Sequence, residues 1–126
     1  MEKKYHGIIA PIITPVDEHE NVDEEGFRAL IEHCIEGGLH GIFVAGSNGE
    51  CMQLTQDERE HAIRIAIDQA HGRVPVVCGI MDTSTRRVIE ALKRLEQMGG
   101  TCGVVTSIFY ARHTSQDESV RHFEAI

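Results

Sequence analysis

Four short, unbroken apolar runs punctuate this chain at nearly even intervals. They begin at Ile8, Gly41, Val74 and Cys102, which sets them 33, 33 and 28 residues apart. Ile8–Thr14 is rich in β-branched residues and too short for a helix. Gly41–Val44, Val74–Cys78 and Cys102–Thr106 repeat the type. Runs that are continuously apolar, rather than alternating with polar residues, predict a parallel sheet covered on both faces.

Each run leads into an amphipathic stretch. Between Asp23 and Glu36 the residues Phe27, Leu30, Ile31, Cys34 and Ile35 form one helical stripe, and Gly37-Gly38 ends it. Thr55–Ala70 opens on a capping box, Thr55 with Glu58, and presents Ala62, Ile63, Ala66, Ile67 and Ala70 on one face. Thr85–Met98 carries Val88, Ala91, Leu92 and Leu95 and closes on Gly99-Gly100. A fourth helix opens at Ser115 and Glu118, again in capping-box spacing, and has barely begun by Ile126. The acidic run Asp17–Glu25 reads as the solvated start of the first helix, where carboxylates favour the dipole.

A strand–helix unit of this length is the repeat of a (β/α)8 barrel, in which eight units take ~250 residues. The rival is a doubly wound sheet, which uses the same unit. Its nucleotide-binding form wants a glycine fingerprint after the first strand, but the turn here is Thr14-Pro15-Val16-Asp17-Glu18. The barrel is therefore the expected architecture, an α/β fold of which residues 1–126 supply the first four units, the N-terminal half of a single TIM-barrel domain.

Composition narrows the class of function. Twelve basic against twenty acidic residues give a net charge of −8, which argues against a nucleic-acid partner. No stretch of ~18 apolar residues exists to span a membrane. Met1–Tyr5 is charged and leads into no signal-like segment, and the four cysteines form no CxxC pair. A reducing, cytoplasmic setting is expected. The eight histidines show no HxH, HExxH or zinc-type cluster, so no metal site is expected, although His19 and His113 lie on loops at the same end of the sheet.

In a barrel the active site gathers on the loops at the C-terminal ends of the strands. The second such loop, Ala45-Gly46-Ser47-Asn48-Gly49-Glu50, sets two glycines around a hydroxyl and an amide. Backbone N–H groups in such a turn can receive an anionic or carbonyl oxygen. A plain glycine turn between strand and helix is the alternative, and a P-loop is not, since the Lys-Ser/Thr ending is missing.

The segment GSNGECMQLTQDER resembles the GxxGE...LT..ER signature of the dihydrodipicolinate synthase and N-acetylneuraminate lyase family. GIIAPIITPVDEHENVD is similar to that family's first strand and its turn, and VPVVCGI to its third strand. VVTSIFYARHTSQDESVRHFEAI is similar to its fourth strand, the loop after it and the next helix. The resemblance implies a pyruvate-dependent lyase, aldolase or synthase acting through a lysine Schiff base, whose iminium serves as electron sink. It implies no separate cofactor, pyruvate or another 2-oxo acid and an aldehyde as partners, and a homodimer or homotetramer. By the same resemblance Ser47 supplies the relay hydroxyl, and Ser47 and Asn48 lie in the loop that binds the pyruvate carboxylate. Asn48 stands where the synthases usually carry a second threonine, which moves weight toward sugar-acid or hydroxy-oxo-acid aldolases. Glu50 is expected to tie the loop down rather than to act as an acid.

Tyr110 comes after the fourth strand, where the family's relay tyrosine enters a neighbouring subunit's site. The segment is about two residues longer here, which leaves Tyr110 and Phe109 as alternatives for that position. Gln56 and Arg59 stand where lysine-inhibited synthases carry histidines, so a weak response to lysine is expected. The chain's lysines are Lys3, Lys4 and Lys93, and none ends a strand. The Schiff-base lysine is thus expected outside these residues, which leaves them inactive alone. A non-catalytic half-barrel, serving dimerisation or regulation, is the rival reading of function.

Overall fold

The computed structural model describes residues 5–111 and 115–126. Lys3, Lys4 and His113 lie outside the described residues. Four βα units run in order: β1 (Ile9–Pro11), α1 (Glu24–Glu36), β2 (Gly41–Val44), α2 (Gln56–Ala70), β3 (Val76–Gly79), α3 (Thr85–Gln97), β4 (Gly103–Val104) and α4 (Gln116–Glu124). The strands are parallel and lie in sequence order β1-β2-β3-β4, with Ile42 opposite Val76 and Cys78 opposite Gly103. Because βα crossovers are right-handed, an order that never reverses puts every helix on the same face. A doubly wound sheet needs a reversal, so this order decides for the singly wound, barrel type.

The ladders are shorter than the apolar runs. Beyond them the backbone stays extended toward the loops, as Ile12 N–H to Phe43 O (3.0 Å) and Ile80 N–H to Val104 O (3.0 Å) show. Pro11 sits in β1, an edge of the sheet in this chain, where a missing N–H breaks no ladder. The expectation of a sheet covered on both faces is met on one face only. Ile12 and Thr14 are buried toward the helices, whereas Pro11 and Ile13 alternate with them and Ile13 is 59% exposed. Apolar residues on that second face are what a closed barrel packs into its interior.

The core lies between sheet and helices: Phe27, Ile31, Ile42, Val44, Cys78 and Val88 are fully buried. Each large side chain among them contributes ~1.5–3 kcal/mol on leaving water. The α2 stripe is wider than its sequence pattern, because Ile65 is buried too. Its turn faces α1, as the pairs His61–Glu24 (3.4 Å) and Asp68–Arg28 (2.7 Å) on either side of it demonstrate.

Helix starts agree with the sequence. Asp23, Thr55 and Ser84 cap α1, α2 and α3 by accepting from Gly26, Glu58 and Arg87 N–H. The boxes are incomplete, however. Glu58 accepts from the distant Val22 N–H (2.6 Å), and Ser115 caps α4 without a side-chain hydrogen bond. The acidic run is also corrected: only Glu24 and Glu25 lie in the first turn of α1. Asp17 instead closes a small hairpin, accepting from His19 and Asn21 N–H, with Val16 bridged antiparallel to Val22. Those N–H groups hold the Asp17 carboxyl below its usual range.

Candidate active site

The loop after β2 is assembled from three strand ends. Ala45, fully buried, takes a left-handed backbone (φ 51°) that turns the chain out of β2. Its carbonyl leans over β3 so closely that a Cβ on Gly79 would stand 1.9 Å from the Ala45 oxygen. Thr14, buried beyond β1, donates its hydroxyl to the Gly49 carbonyl at 2.8 Å. Within the loop Glu50 N–H bonds Ser47 O (3.1 Å) and Cys51 N–H bonds Gly46 O (3.2 Å), closing a turn with Ser47 and Asn48 at its tip. Left-handed non-glycine residues such as Ala45 and Glu50 (φ 53°) cost of order 1 kcal/mol each and cluster at functional sites.

A cavity of about 410 Å³ opens beside the turn, lined by Ser47, Cys51, Met52, Gln53, Met81, Thr106 and Phe109. It sits at the C-terminal ends of β2, β3 and β4. A slightly larger cleft, about 460 Å³, lies at the opposite end of the sheet among Ile67, Val74, Pro75, Val76 and Thr101, with no titratable lining residue.

Beneath the loop a polar cluster ties α2 to the end of β3. Arg59 is 5% exposed, and its guanidinium donates to Gln56 Oε1 (2.6 Å), Met81 O (3.3 Å) and Asp82 Oδ2 (3.4 Å). Asp82, 4% exposed, also accepts from Arg87 Nε (2.6 Å) and Thr83 N–H (2.7 Å). Burial pushes the Asp82 carboxyl up, but the Arg87 hydrogen bond, the Thr83 N–H and the charges of Arg87 and Arg59 together hold it below its usual value. Burial raises the Cys51 thiol, with the Arg59 charge opposing it.

The residues singled out from sequence divide accordingly. Ser47 lines the cavity, while Asn48 is exposed on the turn. Of the two alternatives after β4, Phe109 lines the cavity and Tyr110 stands 99% exposed at φ 78°. Glu50 does not tie the loop down: it is exposed, and among the described residues its carboxylate has no hydrogen bond or ion pair. Thr14 does that work from β1. Lys93 is exposed on α3. Among the described residues no group of three or more His, Cys, Asp or Glu could hold a metal, and no helix is long and apolar enough to cross a membrane. All four cysteines are free. Sequence reasoning missed the Arg59–Asp82 pair, yet a signal existed. Arg59 lies three and four residues before Ala62 and Ile63, on the apolar stripe, where a cation demands a buried partner.

A singly wound parallel sheet, with its built loop at the strand C-terminal ends, defines part of a (β/α)8-barrel protein. The chain belongs to the dihydrodipicolinate synthetase family, whose model matches residues 4–126. It is 33% identical over its full length to the 4-hydroxy-tetrahydrodipicolinate synthase of Phenylobacterium zucineum, covering 42% of that protein. To the synthase of Syntrophobacter fumaroxidans it is 37% identical, over 97% of this chain and 41% of that one. Among solved structures, YagE, a prophage protein of the dihydrodipicolinic acid synthase family from E. coli K12 in complex with pyruvate, superposes with a TM-score of 0.88 at 37% identity. That match covers 94% of this chain and 39% of YagE. The synthase of Methylacidiphilum fumariolicum SolV matches at a TM-score of 0.90 and 29% identity, over 96% of this chain and 40% of that one. The chain thus spans about two fifths of the length of the relatives it matches.

Proposed function

We propose that the protein carrying this chain is a pyruvate-dependent lyase or synthase that makes or breaks a C–C bond through a lysine Schiff base. Residues 1–126 supply the N-terminal half of one barrel domain. One observation carries this reading: Thr14, Ala45 and Gly79, from three strand ends, fix the glycine turn so that Ser47 borders a cavity. In this role the turn receives the carboxylate of pyruvate or another 2-oxo acid, with Asn48 beside it. The Ser47 hydroxyl passes a proton, and the iminium takes up the electron pair of the C–C bond.

Asn48 favours a sugar-acid or hydroxy-oxo-acid aldolase over the lysine-biosynthetic synthase as the particular activity. The 99% exposure of Tyr110 supports a role across a subunit boundary, in a homodimer or homotetramer. Phe109, without a hydroxyl, forms the cavity wall. Four free cysteines support a reducing, cytoplasmic setting.

Incubating the whole protein with pyruvate and borohydride, then weighing it by mass spectrometry, tests the reading. The expected result is one reduced adduct on a lysine outside this chain, and none on Lys3, Lys4 or Lys93. Ser47→Ala should retain trapping and lose turnover by ~10²-fold or more. Absence of any adduct on the whole protein would refute the Schiff-base chemistry. Efficient trapping on the 126-residue chain would refute the placement of the lysine.

A further inference from the structure

Residues 105–111, after β4, form no regular structure, yet they bring Thr106 and Phe109 to the cavity and Tyr110 to the surface. What holds this segment is a histidine. His122 is the only buried residue of α4, 2% exposed, on a helix whose Val120 and Phe123 are about half exposed. Both its ring nitrogens are engaged. Nε2 lies 2.9 Å from the Thr106 carbonyl oxygen, and Nδ1 lies 2.9 Å from Thr85 Oγ1 on the first turn of α3. A carbonyl only accepts, so Nε2 carries a proton. In the neutral ring Nδ1 is then the acceptor, and the Thr85 hydroxyl donates to it. The imidazole thus joins α3, the end of β4 and α4 through one side chain with a fixed tautomer.

We propose that His122 is a positioning residue for the loop after β4, setting Thr106 and, through it, Phe109 in the cavity beside the Ser47 turn and Tyr110 at the surface. The assignment rests on the Schiff-base reading only for its kinetic consequence. Ser47 and its glycine turn hang on Thr14, Ala45 and Gly79 instead, so loss of His122 disturbs the β4 side of the cavity and leaves the carboxylate side in place. The consequence is a split: turnover falls while formation of the pyruvate adduct persists.

The test compares His122→Leu with His122→Gln in the whole protein. Gln places an amide N–H where Nε2 stands and keeps the donor to Thr106, whereas Leu keeps only the volume. For H122L we expect kcat to fall about tenfold or more with the KM for pyruvate and borohydride trapping little changed, and H122Q to recover most of the loss. Amide exchange of Ser107–Tyr110 should accelerate about tenfold in H122L and stay near wild type in H122Q. Imidazole ¹⁵N shifts of the wild-type protein should report the Nε2–H form. If H122L does not fold, Thr85→Val serves in its place, since it strips the donor to Nδ1 and should also loosen the loop. An Nδ1–H tautomer, H122Q as impaired as H122L, or unchanged loop exchange in both H122L and T85V would overturn the proposal. If the wild-type protein traps no pyruvate, the Schiff-base reading fails, and the tautomer and exchange measurements still decide the role of His122.

Discussion

Replacing Gly79 by alanine tests how closely the loop after β2 leans on β3. The added methyl would stand 1.9 Å from the Ala45 carbonyl oxygen and 2.7 Å from its carbon. Ordinary carbon–oxygen contacts are more than 1 Å longer (roughly 3.3–3.6 Å), so backbone must move. Neither partner has room. Gly79 is buried and paired with Val104 in the ladder, and Ala45 is fully buried in a left-handed conformation. Overpacking costs ~1–3 kcal/mol where side chains can yield, and here the obstacle is main chain, so ~3 kcal/mol is expected.

With a urea slope of ~2 kcal/mol per molar, the midpoint should fall by about 1.5 M. Gly72→Ala is the control. Nothing lies within 4 Å of its methyl and φ is 73°, so only the left-handed penalty of ~1 kcal/mol applies. The displaced Ala45 carbonyl should also carry the Ser47 turn with it and weaken pyruvate trapping, which Gly72→Ala should not. A G79A variant within ~0.5 kcal/mol of wild type, or no costlier than G72A, would show that the loop does not lean on β3 as argued.

Other expectations come from the polar cluster, the surface and the cysteines. Arg59→Met should cost ~1–3 kcal/mol, since Gln56 Oε1 and Met81 O lose a buried donor while Asp82 keeps Arg87 and Thr83 N–H, and the double change with Asp82→Asn should cost less than the sum of the two single changes. Glu32 is held down to about 2 from 4.5, chiefly by its Arg73 hydrogen bonds and then by Gln69. Its folded pKa is depressed, so its contribution is complete above pH 4.5 and is lost as pH falls toward 2, and Glu32→Gln should flatten that part of a stability–pH curve. Burial, with a lesser contribution from Cys102, pushes the Cys78 thiol up to about 12, so thiol reagents at pH 8 should modify Cys78 only as fast as the protein opens. Millimolar lysine should leave turnover of the whole protein nearly unchanged, since Gln56 and Arg59 stand where, by the family resemblance, lysine-inhibited synthases carry histidines; strong inhibition would contradict that.

The βα beat, the Thr55 cap of α2 and the glycine turn at Gly46–Gly49 were all legible in the sequence. They depend on local period and on residue chemistry within a few positions, which a linear string records. Ser47 was legible for the same reason, as the one hydroxyl inside a two-glycine turn. What holds that turn was not. Proximity makes Glu50 its natural anchor, but Thr14, 35 residues away, is the anchor, because strand order sets β1 beside β2. Gly79 carries no mark that a carbonyl from another loop lies against it. Nor does His122 announce in sequence a partner on α3, 37 residues earlier. Which of Phe109 and Tyr110 reaches the cavity depended on the path of an irregular segment, which neither period nor propensity constrains. Local chemistry determined the units and the turn; the tertiary packing of strand ends decided which distant groups hold the turn in place.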